Sequence, residues 1–356
     1  MLMRKSGTLA GVMELTLFLR IARTGFGMMT TLPYHRRLLT NAAMGNNRYN
    51  CGYGLTTSFR LQSSTTSSFV PPDPPASKGT SVFSDVDLNV APTAEVEGRN
   101  GDEDAVFVVT GANRGIGLEM VKALACRTKG RIVACCRKPA EFSLDDSLFP
   151  SSRVSVMELD LERQETIDSL KGRIEEELGS DRVDGLFNVA GILGDGKTTP
   201  GPERSLAMLN RNWIDKTMAI NVVGPVMLVQ ALAPMMKRSR KDTGTPRSIV
   251  VNVSARVGSI SDNVLGGWYS YRFSKSALNQ ATRTMAHELK RQGTYAIAVH
   301  PGTTETDLSR PFHRNVKKGS LFPPEFTVKQ ILDIVDSMNG THTGGLYDWS
   351  GKAIPF

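Results

Sequence analysis

The chain has 356 residues and a formal net charge of +8, from 43 Lys and Arg against 35 Asp and Glu, but the excess is not evenly spread. Eight basic residues (Arg4, Lys5, Arg20, Arg23, Arg36, Arg37, Arg48 and Arg60) and one acid, Glu14, fall in residues 1–72, so the remainder is balanced at 35 against 34. A nucleic-acid-binding domain would carry its basic stripe on the fold itself, so no nucleic-acid partner is expected, and Cys51, Cys126, Cys135 and Cys136 have no zinc-ligand spacing, so no metal is expected either.

Residues 1–70 are Arg-rich and acid-poor and end in a Ser/Thr-rich stretch, Thr56 to Ser68, which is the composition of an organelle-targeting presequence. The mitochondrion is the expected destination, with plastid or cytoplasm as alternatives. The apolar residues Thr16 to Leu19 are interrupted by Glu14 and Arg20, short of the roughly 20 residues a bilayer span needs, so no stable membrane insertion is expected. Residues 71–103 begin Pro-Pro-Asp-Pro-Pro and turn acidic; they are expected to be a disordered linker.

From residue 104 to 356, short β-branched runs alternate with helical segments, the pattern of βαβ units and a parallel sheet. The predicted strands are Ala105 to Thr110, Arg131 to Cys136, Val154 to Leu159, Val183 to Val189, Ser248 to Val253, Tyr295 to His300 and Leu346 to Trp349. Their continuous apolarity suits strands buried on both faces. The predicted helices are Ile116 to Arg127, Gln164 to Leu178, Leu206 to Met236, Ser270 to Arg291 and Thr327 to Met338. The fold class is α/β: a doubly wound Rossmann-type sheet in three αβα layers, one domain behind a disordered leader.

The first strand runs into Thr110-Gly111-Ala112-Asn113-Arg114-Gly115-Ile116-Gly117 at the mouth of a helix. Gly111 permits a tight turn, Gly115 lets the backbone approach a pyrophosphate, and Gly117 lets the helix pack against the strand. The second strand ends in Cys135-Cys136-Arg137-Lys138, without the acid that would hold a ribose 2′-hydroxyl. Arg137, with Arg114 beside it, suits a 2′-phosphate instead, so NADP(H) is the expected cofactor and NAD(H) the alternative. Further on, Tyr271 and Lys275 stand four apart, on one helix face. A free phenol titrates near pH 10, and an adjacent ammonium would lower it toward the working range of a general acid and base.

The glycine turn, Asn188-Val189-Ala190-Gly191, Ile220-Asn221-Val222-Val223-Gly224, Tyr271-x-x-x-Lys275 and Pro301-Gly302 resemble the short-chain dehydrogenase/reductase family in order and spacing. The stretches Ser254 to Asn263 and Gly266 to Lys275 resemble its C-factor-like branch. The resemblance implies Tyr271, Lys275, Asn221 and a serine as the catalytic set, with Lys275 also holding the nicotinamide ribose and Asn221 supporting a proton relay. It implies cofactor contacts from Gly111, Asn113, Arg114, Gly115, Ile116, Gly117, Arg137, Asp160, Leu161, Asn188, Ala190, Gly191, Pro301, Gly302, Thr303 and Thr306. The family places its serine second in an Asn-Val-Ser-Ser run, where this chain has Ala255. Ser254 is the candidate, at the carboxyl end of its strand, where open α/β sheets place ligands; Ser259 is the alternative.

The expected function is hydride transfer between NADP(H) and a carbonyl or alcohol carbon of a small apolar substrate, with the loop Ile192 to Ser205 and a lid from Asp307 to Pro324 setting selectivity. The alternative is a nucleotide-binding regulator or signalling protein in which turnover is secondary. The resemblance also implies a homo-oligomer surface on the two long helices.

Overall fold

The β-branched runs pair as their apolarity predicts. The computed structural model describes residues 69–144, 151–195, 201–238 and 247–356; the presequence up to residue 68 and part of the loop Ile192 to Ser205 lie outside them. The strands are β1 (Val106–Thr110), β2 (Arg131–Cys136), β3 (Val154–Glu158), β4 (Gly185–Asn188), β5 (Ser248–Val253), β6 (Thr294–His300), β7 (Thr303–Thr304), β8 (Leu321–Phe322), β9 (Leu346–Asp348) and β10 (Ala353–Ile354). Eight of them form one sheet in the order β10-β9-β6-β5-β4-β1-β2-β3, parallel except where β10 turns back on β9, and β7 pairs separately with β8. The order reverses between β1 and β4, and that crevice is where a doubly wound sheet takes its ligand.

The helices are α1 (Ala94–Gly101), α2 (Gly115–Arg127), α3 (Gln164–Asp168), α4 (Leu170–Leu178), α5 (Arg211–Met218), α6 (Gly224–Leu232), α7 (Tyr269–Leu289) and α8 (Pro324–Ser337). One face of the sheet is covered by α2 and α8, through Met120, Leu124, Val328 and Ile331. The other is covered by α3, α4, α6 and α7, through Ile167, Leu170, Ile174, Leu228 and Leu289. Both faces are therefore dry, and the strands carry no polar alternation because none is exposed.

Two predicted helices are broken. The run Gln164 to Leu178 is interrupted at Ser169, where the Ser169 hydroxyl and the Arg173 guanidinium both donate to the Thr166 carbonyl and compete with the helix ladder. The run Leu206 to Met236 holds one π turn, Ala219–Val223, between α5 and α6, a break that recurs at functional sites. The apolarity of α6 and of the turn after it, Ala233–Met236, goes into the core: Leu228, Val229, Leu232, Met235 and Met236 are buried under the sheet.

Residues 71–103 are not the structureless linker their composition predicts. Thr93 caps α1 by accepting from the Val96 N–H. The Arg99 guanidinium, buried, donates to Asp336 at 3.0 Å, and Val86 N–H donates to the Gly351 carbonyl at 2.8 Å. Phe69 lies edge-on to Phe322 and Phe326, and Phe83 and Leu88 pack on the core. The segment has few apolar residues, but those named here find partners on the domain, which composition cannot register.

Candidate active site

The glycine turn sits at the switch point, and each glycine does a different job. Gly111 and Gly115 adopt φ +67° and +54°, a region costly to side chains. A Cβ on Gly111 would also meet the Ala190 backbone at 3.0 Å, and one on Gly115 would meet Thr306 Cγ2 at 3.2 Å. At Gly117 a Cβ would overlap the Gly111 carbonyl, so the helix can seat this close only with glycine there. Thr110 Oγ1 accepts from the Val189 and Ala190 N–H groups, tying the turn to the loop after β4. Asn188 is buried and donates to Asn252 on β5, where it joins strands.

Arg137 is exposed at the end of β2, with no ion pair among the described residues. Arg114 is exposed too and leans on Asp307 of the lid at 3.4 Å. Asp160 turns one carboxylate oxygen onto the Glu162 N–H, and the buried Leu161 packs against Gly224. Asn113 and Ile116 are half-buried in the turn. A cleft of about 400 Å³ is lined by Gly115, Glu119, Thr306, Asp307 and Arg310. After β6, Gly302 has φ +75° and lies where a Cβ would overlap the Phe322 ring, which fixes the course of Pro301 to Thr306.

The catalytic candidates converge from three elements. A Cβ on Gly191 would lie 3.3 Å from Asn221 Oδ1 and 3.7 Å from Lys275 Nζ, so the loop after β4, the π turn and α7 meet at one point. Asn221 accepts from the Ile192 N–H at 2.8 Å and donates to the Ile192 carbonyl and to Ser274 Oγ. Lys275 Nζ is buried, donates to the Val253 carbonyl at 2.8 Å, and lies 5.6 Å from the Tyr271 ring centre.

Two features of the arrangement differ from expectation. In this arrangement Lys275 does not depress the phenol: burial pushes Tyr271 up to about 12 and Lys275 down to about 8. Desolvation disfavours the charged form of each, and the ammonium sits against a carbonyl instead of the phenolic oxygen. Both candidate serines are engaged within the fold. Ser254 Oγ donates to Asn279 Oδ1 at 2.6 Å, and Ser259 Oγ donates to the Pro355 carbonyl. Both hydroxyls are buried, and Ala255 leaves the family's position without one.

Three features of the site were not read from the sequence. Glu203 is buried and accepts from the Ser270 hydroxyl and N–H at the start of α7. Arg272 donates to the Gly266, Gly267 and Val257 carbonyls. Trp268 has φ +54°, the one non-glycine residue with positive φ among those described. Only the Gly266-Gly267 pair, a turn signal before a helix, pointed that way.

A family model described as short chain dehydrogenase matches residues 105–317, and the chain belongs to that family: it is an NAD(P)-dependent oxidoreductase of the short-chain dehydrogenase/reductase type. It is 33% identical to the C-signal of Myxococcus xanthus over 176 residues, covering 49% of this chain and 93% of that protein. It is 27% identical to 1-hydroxy-2-glutathionyl-2-methyl-3-butene dehydrogenase of a Rhodococcus strain, covering 67% of this chain and 94% of that protein. Among solved structures, an NADPH-bound carbonyl reductase from chicken fatty liver superposes with a TM-score of 0.61 at 26% identity, covering 71% of this chain and 99% of that one.

Proposed function

We propose that the protein is an NADPH-dependent carbonyl reductase in which Tyr271 is the proton donor. The convergence of Gly191, Asn221 and Lys275 beside Tyr271 carries this reading. The glycine turn fits a dinucleotide, because its left-handed Gly111 and Gly115 and the close seating at Gly117 form a tight backbone turn at the N-terminus of α2, where a pyrophosphate would be received. Arg137 and Arg114 would hold a 2′-phosphate, Asp160 and Leu161 the adenine end, Ala190 and Gly191 the adjoining ribose, and Thr303 and Thr306 the carboxamide and pyrophosphate. The carbonyl reductase likeness supports the same choice of nucleotide.

Bound NADPH supplies the hydride. Tyr271, protonated at neutral pH as any phenol is, donates its proton to the carbonyl oxygen as carbon gains hydrogen. Lys275, released from the Val253 carbonyl, holds the nicotinamide ribose and stabilises the phenolate left behind. Asn221 keeps the Ile192 loop and α7 in register and supports the return of a proton. Ser254, at the end of β5, acts as a positioning residue through its hydrogen bond to Asn279 on α7. The presequence reading stands as part of the proposal: residues 1–70 direct the enzyme to an organelle, the mitochondrion first.

A regulatory reading, in which nucleotide occupancy matters and turnover is secondary, draws on Ala255 and on the likeness to C-signal. Titration with NADPH and NADH separates selectivity from binding. Wild type should bind NADPH tighter than NADH, and Arg137→Ala should lose ~10–100-fold for NADPH alone, the worth of one charge-assisted hydrogen bond. Equal affinities in wild type would end the NADPH assignment. Nucleotide binding without turnover of any carbonyl by wild type, indistinguishable from Tyr271→Phe, would favour the regulator.

A further inference from the structure

We propose that Glu203 is a positioning residue for the reaction: its buried carboxylate holds the first turn of α7, and with it the Tyr271 phenol. This rests on the carbonyl-reductase reading above, in which Tyr271 is the proton donor. The first turn of a helix has backbone N–H groups without acceptors, and a Ser, Thr, Asp or Asn at the N-cap ordinarily supplies one. In α7 that place is taken by Trp268, which has φ +54° and makes no side-chain cap.

The acceptor comes instead from a residue 67 positions before Ser270. Glu203 accepts from the Ser270 N–H at 3.2 Å and from the Ser270 hydroxyl, and its backbone carbonyl accepts from the Trp268 N–H at 2.5 Å. It is 1% exposed and has no ion pair among the described residues. A buried carboxylate without a cation is costly; the two Ser270 donors and the positive end of a 21-residue helix offset that cost. A neutral side chain at residue 268 would cap the helix at lower cost. What the carboxylate adds is a link between α7 and the loop Ile192 to Ser205.

That link ends beside the proton donor. Tyr271 follows Ser270 directly, and its carbonyl accepts from the Ser274 hydroxyl, which in turn accepts from Asn221 Nδ2. The Tyr271 backbone is therefore gripped from one side by Glu203 and from the other by Asn221. Asn221 also holds the N–H and the carbonyl of Ile192, so the loop is fastened near both of its ends to the start of α7. The phenol then has a fixed setting, with the Trp268 ring edge-on at 6.2 Å and Lys275 Nζ 5.6 Å from its ring centre. A reacting group misplaced by about 1 Å can cost ~10²-fold in rate, so release of this grip should show in kcat. The nucleotide turn on β1 and α2 makes no contact with Glu203 that the grip depends on, so cofactor affinity should not follow.

The test uses the full-length protein with NADPH and 2,3-hexanedione, with rates expressed per NADPH-binding site so that loss of folded protein does not count. Glu203→Ala should lower kcat ~10–100-fold and raise the solvent deuterium isotope effect on kcat, because delivery of the Tyr271 proton becomes slower, while NADPH affinity holds. Glu203→Gln, which keeps an acceptor for Ser270, should recover kcat to within about threefold of wild type. A part in stability alone would lower the melting temperature and leave both kcat per site and the isotope effect unchanged, and that result overturns the proposal. Should Glu203→Ala not fold, Ser270→Ala decides: it removes one of the two donors and should lower kcat by about threefold or more with the same rise in isotope effect, and an unchanged kcat overturns the proposal. If wild type does not reduce the dione, the reductase reading fails for this carbonyl, and hydrogen exchange in the NADPH complex decides. Amides of residues 269–273 that exchange at least about tenfold faster in Glu203→Ala, but not in Glu203→Gln, support the grip on the first turn, and equal rates overturn it.

Discussion

The nucleotide half of the crevice and the substrate half are built differently. Around β1 and α2 the site is made of backbone: left-handed glycines, a helix seated on the Gly111 carbonyl, and Thr110 tying two loops. Around β5, α7 and the lid it is made of side chains whose directions depend on neighbours far away in the chain, such as Ser254 turned onto Asn279 and Ser259 onto Pro355. Glycines constrain a turn through the space they leave, and that constraint can be read from residue identity. A hydroxyl's partner cannot.

The sharpest way to break this contrast is to damage one half and watch the other. Tyr271→Phe removes the proton donor and nothing from the nucleotide half, so kcat for carbonyl reduction should fall ~10²–10⁴-fold while NADPH titration is unchanged. A loss of nucleotide affinity in that variant would show that the halves are one unit. Gly117→Val is the converse: with a Cβ overlapping the Gly111 carbonyl, NADPH binding should be lost, and a fluorescence titration that still saturates would mean the turn carries no such constraint.

A smaller effect is expected from restoring the absent hydroxyl. Ala255→Ser should raise kcat/KM by about tenfold, the worth of one added hydrogen bond to the developing oxyanion, with NADPH affinity unchanged. A fall in rate would mean that Ala255 makes room for the substrate.

The last effect concerns stability against pH. His300, last residue of β6, has its buried Nδ1 without a partner, and burial, reinforced by Arg256, pushes it down to about 3 from an ordinary 6.5. The unfolded chain therefore binds a proton below pH 6.5 that the native one refuses until about 3. Stability from this residue is complete above 6.5 and is lost as pH falls through that window, by at most about 2 kcal/mol at pH 5. Thermal melts from pH 7 to 5 should be steeper for wild type than for His300→Asn, and parallel curves would remove His300 as the cause.

Seven of the ten strands were legible to within a few residues, because fully apolar β-branched runs between turns have few alternatives; the two-residue strands β7, β8 and β10 are too short to carry such a pattern. Tyr271 and Lys275 were legible as a pair from helical spacing, and the fold keeps them close, with Lys275 Nζ 5.6 Å from the Tyr271 ring centre. Their titration was not legible, since burial outweighs a charge engaged elsewhere. The segment 71–103 was misread because its hold on the domain comes from scattered contacts, among them Arg99 with Asp336, 237 residues apart.

The sequence by itself determined the doubly wound sheet, the glycine turn at its switch point, and the set of residues that meet beside Tyr271. These rest on periodicity and on local backbone freedom, which each residue carries with it. Only the tertiary structure decided which hydroxyls are already spent, where the ammonium of Lys275 points, and that a tryptophan is held in a glycine's conformation beside the phenol. Each of those depends on a partner brought close by folding, and hydrogen bonds and burial act over a few ångströms of space, whatever the distance along the chain.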